Sequence, residues 1–381
     1  MIKISSPVSI LELGSASIKF CVYDNIISNQ NLFYEAKTDF TRNKNFLDDK
    51  PLANIISKAE KDLDKHLNEI SLAIDCSSIH SLDISIQKNY DKKIFTESDL
   101  NYLINQCKQL VAVHNKDKNI LHTVVNQINL DDKIFETIKD ISQETYKATL
   151  EIKFILIKKN KYEEIKKIFI KKHIVLKEIY CASYLKALGI IKKIDISGFT
   201  SFIDIGLNKS SLSIFKNKKF LYINNTHIGG EHITKDISKV LNIDYRKAEA
   251  EKLKFSKNEK LETNNFKDQE LLKNIINSRL EEIVELLFFD CPLLKNNIFN
   301  NDLRLFFMGN GSKVLNENML SFGSDFNFIS EMTIIEESKK ECCDSFIKFK
   351  ATSENIQPRE SNVSLENKGF FEKLFEYFSK N

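Results

Sequence analysis

The chain has 381 residues, enough for two to three domains of ordinary size. Hydrophobic residues make up 42% and charged residues 29%, which is typical of a folded globular protein and excludes a disordered, collagen-like or membrane-channel chain. The formal net charge of +3 is too small for the whole chain to act as an electrostatic binder of nucleic acid.

Two similar strand-turn-strand units are predicted, one in each half of the chain. Val8–Leu13 and Ile18–Tyr23 are apolar runs that predict strands, and only small residues separate them. Phe202–Ile205 and Ser211–Phe215 repeat the arrangement, again with an acidic residue and then a glycine at the end of the first strand. A long-range repeat of this kind predicts two similar lobes that face each other across a cleft.

Hydrophobic periodicity predicts the remaining elements. Helices are expected at Ala53–Leu67, Glu97–Leu110, Tyr162–Lys171, Lys177–Leu188, His232–Leu241, Tyr245–Lys254 and Asp268–Phe289. Strands are expected at Leu72–Ile79, Leu82–Gln87, Leu121–Ile128, Thr149–Ile157 and Leu305–Met308. The elements between 82 and 157 predict a small α+β insert within the first half.

The seven cysteines are an odd number, and no two of them form a C-x-x-C pair. This pattern supports neither a disulfide framework nor a zinc ribbon. We therefore expect buried thiols in a reducing compartment.

The first turn carries residues suited to a phosphate. With only 10 glycines in the chain, a glycine at the end of an apolar run is informative, because it permits close approach to a ligand. Gly14, Ser15 and Ser17 can direct backbone N–H groups and hydroxyls at an anion, and the Lys19 ammonium follows within reach. Taken alone, such a turn is more often purely structural.

The second turn repeats the pattern with Gly206, Asn208 and Ser210. Each turn follows an acidic residue, Glu12 or Asp204. Two such turns can hold one polyphosphate from two sides, while the two carboxylates hold water around a Mg²⁺ ion.

Three further segments are candidates for nucleotide contacts. Gly229 and Gly230 lead directly into a predicted helix, whose N-terminus favours an anion. Glu249 and Lys252 share a helix face, where a surface ion pair is the usual explanation. The strand before residue 309 ends in a flat, glycine-containing stretch against which a base can lie, although a lone G-x-G is weak evidence. That stretch is Gly309, Asn310, Gly311 and Ser312.

The order of these segments resembles the five nucleotide-binding segments of the actin/Hsp70/hexokinase superfamily. Within it, the closest resemblance is to FtsA, the actin-like bacterial cell-division family. The stretch 227–237 is similar to the family's GGxHITxDI, 248–252 to its AEAxK, and 74–79 to its ISGSHI region. The resemblance spans about residues 8–345, together with the C-terminal tail.

The resemblance implies an α/β, two-lobed actin-like ATPase fold with an FtsA-type α+β inserted subdomain and a C-terminal amphipathic helix. It also implies a division of the chain. The first lobe (1A) would comprise 1–82 and 163–198, the inserted subdomain (1C) 83–162, the core of the second lobe (2A) 199–236 and 300–350, its outer subdomain (2B) 237–299, a flexible linker 351–368, and a membrane-targeting helix 369–381.

The family implies ATP and Mg²⁺ as cofactors, but the sequence departs from the family pattern at both turns. Glu12 stands where the family has Asp, and Leu207 and Lys209 crowd the position of a phosphate in the second turn. No residue is identified as the activator of a hydrolytic water, so the catalytic residues are unknown. Nucleotide binding, with at most slow hydrolysis, is therefore favoured over turnover.

The last thirteen residues form an apolar stripe at helical spacing, which follows a polar stretch. Four of its five apolar residues are Phe, which suits burial at the headgroup boundary of a membrane. A core-facing helix is the alternative. The predicted membrane-facing residues are Phe370, Phe371, Leu374, Phe375 and Phe378.

The implied role is a peripheral protein on the cytoplasmic face of the bacterial inner membrane at the septum. Its expected partners are the C-terminal tail of FtsZ, other copies of itself in filaments, and later division proteins at the inserted subdomain; nucleic acid is not expected. Arg279 and Glu282 match the FtsZ-contacting helix of the family loosely, and an ordinary solvated helix face is equally expected. A PilM-like pilus assembly protein and a small-molecule kinase of the same superfamily remain as alternatives.

Overall fold

The computed structural model describes residues 8–24, 30–37, 49–135, 141, 144–194, 196–256, 266–315 and 326–353. The strands are β1 (Val8–Leu13), β2 (Ser17–Asp24), β3 (Gln30–Lys37), β4 (Glu69–Ile74), β5 (His80–Ile94), β6 (Lys118–Leu130), β7 (Lys133–Phe135), β8 (Glu144–Lys158), β9 (Val175–Cys181), β10 (Phe199–Ile205), β11 (Ser210–Lys216), β12 (Lys219–Thr226), β13 (Leu303–Met308) and β14 (Ile329–Ile334). The helices are α1 (Asp49–Leu63), α2 (Glu97–His114), α3 (Lys159–Ile170), α4 (Ala182–Ile191), α5 (Gly230–Val240), α6 (Tyr245–Ser256), α7 (Phe266–Phe288), α8 (Pro292–Lys295) and α9 (Glu341–Ser353), with a 3₁₀ helix at Asn310–Val314.

The two predicted lobes are confirmed as two five-stranded sheets with the same topology. The strand order is β3-β2-β1-β4-β9 in the first lobe and β12-β11-β10-β13-β14 in the second. In each sheet the first three strands are antiparallel, and the remaining pairs are parallel. The central strands β1 and β10 therefore occupy equivalent places, and each ends at the glycine of a predicted turn.

The alternation of side chains along β10 explains how the lobes join. All seven residues of this strand are buried. Ile203 and Ile205 pack into the core of the second lobe, whereas Phe202 faces the other way, into a cluster shared with the first lobe. Because successive side chains point to opposite faces of a sheet, one strand supplies both cores.

The predicted α+β insert forms a separate, fully antiparallel sheet, with strand order β5-β8-β6-β7. Helix α2 packs on it and begins with a capping box, in which Thr96 and Asp99 each bind the backbone N–H of the other. Leu100, Leu103 and Cys107 of this helix are buried in a core separate from those of the two lobes.

Two sequence predictions, one about a helix and one about the cysteines, were wrong. A single helix was predicted over Lys177–Leu188, but β9 occupies Val175–Cys181 and α4 begins only at Ala182. All cysteines were predicted to be free, but Cys21 of β2 and Cys343 of α9 form a disulfide with Cα atoms 6.2 Å apart. The other five cysteines are buried free thiols.

The C-terminal part of the chain is described only to residue 353. Helix α9 extends to Ser353 and so includes the first three positions of the predicted linker. The predicted membrane-targeting helix lies outside the described residues. Within the described ranges, none of the helices combines the length and the apolar character that crossing a membrane requires.

Candidate functional site

A cleft of about 750 Å³ lies between the two lobes, at the ends of β1 and β10. We call residues 14–17 the first turn and residues 206–209 the second turn. The Ser15 hydroxyl of the first turn donates a hydrogen bond to the Asn208 side-chain oxygen of the second. The fold therefore brings the two predicted phosphate turns into direct contact, although they are far apart in the sequence.

The glycine that opens each turn is required by the backbone itself. Gly14 N–H donates to Ser17 O over 3.0 Å, and Gly206 N–H donates to Lys209 O over 2.9 Å. A Cβ on Gly14 would lie 2.8 Å from Ser17 O, and one on Gly206 would lie 3.0 Å from Lys209 O. The two turns thus share one tight geometry, in which a side chain has no space at the first position.

The predicted metal-associated residues are both engaged by lysines. Glu12 lies 3.4 Å from the Lys19 ammonium, its neighbour across the β1–β2 hairpin. Asp204 pairs with Lys186 of α4, and the same ammonium lies 3.1 Å from Glu337, in the segment after β14. Lys186 and Glu337 were not identified from the sequence, because nothing in a helix-face lysine or a loop glutamate shows which cleft it lines.

Electrostatics keeps Lys186 charged. Burial alone lowers the pKa of a lysine, but the nearby carboxylates of Asp204, Glu337 and Glu12 together raise the pKa of Lys186 well above its ordinary value. Burial raises the pKa of Glu337, and the charge of Lys186 opposes that shift. For Lys19, burial likewise lowers the pKa, but the net shift is upward because of Glu12.

Lys209 connects the second turn to the first lobe. Its ammonium donates to the backbone oxygen of Asp75, just beyond β4, and burial lowers its pKa. The Asp75 carboxylate, which also lines the cleft, accepts from the backbone N–H of Ser183 over 3.1 Å and from its hydroxyl over 3.0 Å. The Asp75 carboxylate thus stabilises the start of α4 through these hydrogen bonds.

The N-terminus of α5 is docked on the second turn and does not face the cleft. Gly230 N–H donates to Gly206 O over 2.9 Å, and Glu231 N–H donates to Leu207 O over 2.6 Å. A Cβ on Gly229 would lie 2.7 Å from Gly206 O, so this glycine allows the close docking. In this state these two N–H groups are satisfied by backbone oxygens.

The half-buried Glu249 and the buried Lys252 form a cluster that joins α5 to α6. Their charged groups lie 2.7 Å apart, and the Lys252 ammonium also donates to Gly230 O over 3.1 Å and to Thr234 Oγ1 over 2.7 Å. The cluster therefore fixes the two helices behind the second turn.

The segment after β13 closes the other side of the cleft. Gly309 has φ 87° and ψ 165°, a conformation that is essentially restricted to glycine. A Cβ there would lie 2.2 Å from a carboxylate oxygen of Asp204, so Gly309 gives that carboxylate its space. Gly311 likewise packs against Ile205, and the 3₁₀ helix begins between the two glycines.

The predicted nucleotide and metal residues divide into two sets. Those that line the cleft are Glu12, Gly14, Ser15, Ser17, Lys19, Asp204, Gly206, Gly309, Asn310 and Ser312. Those behind it, in the layer that supports the second turn, are Ser210, Gly229, Gly230, Glu249, Lys252 and Gly311. Asn208 contacts the first turn through Ser15.

The predicted partner residues Arg279 and Glu282 pair with each other on α7. The Arg279 guanidinium also lies 2.6 Å from the Asp236 carboxylate of α5. The hydrogen bond that the Arg279 guanidinium donates to Asp236 makes the largest contribution to raising the pKa of Arg279. This pairing joins α7 to α5, so it has a structural role whether or not a partner binds there. The predicted membrane-facing residues lie outside the described residues.

The residues of the cleft do not fit a Mg²⁺ ion. Mg²⁺ requires near-ideal octahedral geometry and usually retains several waters. The space beside the Asp204 carboxylate is taken by the Lys186 ammonium, which is also paired with Glu337. Among the residues that the structure describes, no group of three or more His, Cys, Asp or Glu side chains is arranged to hold a metal ion.

Comparison with known sequences points to cell-division proteins. The family described as "Cell division protein FtsA" matches residues 201–318, which include the second turn, α5 to α7 and residues 309–312. Two curated proteins named "Cell division protein FtsA", from Helicobacter pylori strains 26695 and J99, are each 24% identical over 162 residues. The alignment covers 42% of this chain and 32% of each relative, so it spans about a third of the length of those relatives.

Comparison with solved structures establishes the fold. A chain of the "PilM-PilN type IV pilus biogenesis complex" superposes with a TM-score of 0.56 at 11% identity, over 92% of this chain and 99% of that chain. MreB5 of Spiroplasma citri bound to ADP gives a TM-score of 0.48 at 14% identity, over 92% and 98% of the two chains. The superposition on the PilM chain shows that the two proteins share a fold, and residues 201–318 are similar to the FtsA family.

Proposed function

We propose that the chain is an FtsA-like cell-division protein that binds ATP in the interlobe cleft, forms filaments, and anchors the FtsZ ring to the cytoplasmic membrane. The observation that carries the proposal is the contact of the first and second turns at one cleft, through Ser15 and Asn208. The match of residues 201–318 to the FtsA family supports the cell-division role.

The lining of the cleft suits a polyphosphate. The first turn contributes the hydroxyls of Ser15 and Ser17, and the ammonium groups of Lys19 and Lys186 lie behind it. Lysine is a common phosphate ligand because it offers a compact positive charge with three donors. These groups belong to the first lobe, whereas Gly206, Asn310 and Ser312 line the cleft from the second, so a bound phosphate chain would hold the lobes together.

Binding is better supported than turnover. A general base must have a free acceptor within reach of the attacking water. The Asp75 carboxylate already accepts hydrogen bonds from Ser183, and those of Asp204 and Glu337 pair with Lys186. ATP would therefore serve mainly as a structural and polymerisation ligand, with at most slow hydrolysis.

The membrane role depends on residues 369–381, and it is tested by co-sedimentation with liposomes. We expect the full chain to pellet with liposomes and to bring FtsZ into the pellet, whereas a chain that ends at Lys368 leaves FtsZ in the supernatant. One short helix binds a membrane weakly, so the difference should grow with protein concentration as filaments form. Equal pelleting of the two chains would contradict the anchor.

A PilM-like role in pilus assembly is the second candidate. It is favoured by the superposition with the PilM–PilN structure over 92% of this chain. A PilM-like protein would bind a cytoplasmic peptide of a transmembrane partner and would not need its own anchor. Failure of both chains to pellet with liposomes, without recruitment of FtsZ, would favour this candidate.

A further inference from the structure

The Lys186 ammonium is surrounded by carboxylates from three separate parts of the chain. Asp204 is the second-last residue of β10 in the second lobe, Glu337 follows β14, and Glu12 is the second-last residue of β1 in the first lobe. The side chains of Lys186, Asp204 and Glu337 are only 7%, 11% and 13% exposed. A buried cation with three carboxylates around it lies at the point where the lobes meet.

In this arrangement an ammonium lies among the carboxylates that would surround a hydrated cation in a metal-dependent site. In a metal-dependent site, carboxylates from the two lobes hold water around the ion, and the ion neutralises the phosphates. Here Lys186 is joined to Asp204 and Glu337 by direct ion pairs, and Glu12 acts on it electrostatically. Lys186 lies on the well-packed helix α4. If its ammonium left the cluster, it would leave buried carboxylates without a partner, which is energetically costly.

Lys186 also lines the cleft in which a ligand would bind. An ammonium has three N–H donors, and the described contacts of Lys186 go to one oxygen of Asp204 and to both oxygens of Glu337. A phosphate oxygen in the cleft would compete with Glu337, whose two oxygens lie 3.1 and 3.2 Å from the ammonium, for one of these donors. Lys19 of β2 adds a second positive charge to the same cleft.

We propose that the Lys186 ammonium takes the place of the divalent cation in this cleft, so that the protein binds its nucleotide without Mg²⁺. The inference rests on the proposed nucleotide site and specifies its ion requirement. The Lys186 ammonium is covalently part of the protein and stays in the cleft at all times, whereas a metal-dependent site loses its cation when the ion is removed.

The first experiment uses the unmodified full chain with ADP as the probe, titrated by calorimetry in excess Mg²⁺ and again in EDTA. We expect dissociation constants that agree within about threefold. ADP binding that weakens more than about tenfold in EDTA would overturn the inference and leave the nucleotide site standing. An absence of ADP binding in both buffers would remove the nucleotide site and this inference with it.

The second experiment replaces the ammonium by a neutral side chain of similar length, with Lys186→Met. The free carboxylates should then recruit a metal, so ADP binding becomes dependent on Mg²⁺, and one Mn²⁺ per chain becomes detectable by electron paramagnetic resonance. Lys193→Met is the matched control. Lys193 lies just beyond the end of α4, and its side chain is 48% exposed and paired with Glu341. The control should bind ADP in EDTA as the unmodified chain does.

Two outcomes of the second experiment would count against the inference. If folded Lys186→Met binds ADP equally in EDTA and Mg²⁺, with unchanged affinity, then Lys186 is not the resident cation. If the unmodified chain already binds one Mn²⁺ tightly in the presence of ADP, the cleft accepts a metal beside the lysine. Circular dichroism establishes whether the variant is folded; if it is not, the first experiment decides.

Discussion

At the scale of single residues, His122 shows how burial makes a titratable group sensitive to pH. It lies on β6, where its Nε2 accepts a hydrogen bond from the Cys181 N–H over 2.9 Å. The rings of Tyr184, Tyr180 and Phe349 lie around it. Burial lowers the pKa of His122 to about 3, so the folded protein holds the imidazole neutral.

His122 should therefore destabilise the fold in acid. In the unfolded chain its pKa returns to about 6.5, so the unfolded state binds the extra proton as the pH falls below that value. The contribution is fully present above about pH 6.5 and is lost towards pH 3, with a slope of ~1.4 kcal/mol per pH unit. Denaturant unfolding at pH 7, 6 and 5 measures it.

The control is a pair of glutamine variants. His122→Gln should lack this slope, whereas His114→Gln, at an exposed position at the end of α2, should keep it. Equal slopes in the unmodified chain and in His122→Gln would show that His122 does not titrate in this range.

At the scale of elements, the docking of α5 on the second turn decides the shape of the cleft wall. Gly229 lies so close to the turn that a Cβ would meet Gly206 O, Leu207 O and Lys209 N within 2.8 Å. At Gly230, one position later, the nearest atoms to a Cβ are 3.6 Å away. Adjacent glycines therefore have different roles.

This difference gives a matched pair of variants. Gly229→Ala should push α5 away from the second turn and cost ~1–3 kcal/mol of unfolding free energy, because backbone atoms on both sides must move. Gly230→Ala should stay within ~1 kcal/mol, since alanine favours a helix and the space is sufficient. Thermal or urea unfolding checks both, and similar losses in the two variants would contradict the docking.

The mispredicted element has a local cause. Residues 177–181 were assigned to a helix as part of Lys177–Leu188, but they belong to β9, which pairs in parallel with β4 and whose last three residues are all buried. A short apolar run does not by itself distinguish a strand from a helix. The tertiary structure determines the conformation of this segment, because it pairs with β4 as the edge strand of the first sheet.

At the scale of the whole molecule, aromatic packing joins the lobes. Tyr184 of α4 in the first lobe packs edge-on against Phe220 of the second at 5.0 Å and stacks on Phe215 at 6.4 Å. These rings belong to one core cluster that contains residues of both lobes. The lobes are therefore held together by apolar burial as well as by polar contacts at the turns.

Removal of one of these rings should be costly. Phe220→Ala should lower the unfolding free energy by ~3–5 kcal/mol, because it leaves a cavity between the lobes. Phe289→Ala is the matched control, since Phe289 is 69% exposed and its loss should cost less than ~0.5 kcal/mol. A small effect at Phe220 in denaturant unfolding would mean that the lobes are stable independently.

The sequence alone predicted the two strand-turn-strand units. An apolar strand with an acidic residue near its end, followed by a glycine, is a local pattern because the tight turn requires the glycine. The sequence also identified Glu12, Gly14, Asp204, Gly206 and Gly309 as residues of one cleft, since strand ends and tight turns are visible in the order of residues. Only the tertiary structure shows which side chains lie beside these residues. Lys186 and Glu337 reach Asp204, and Cys343 reaches Cys21, because helices and strands distant in the chain pack against β1 and β10. Such contacts depend on packing in three dimensions, which no local spacing records.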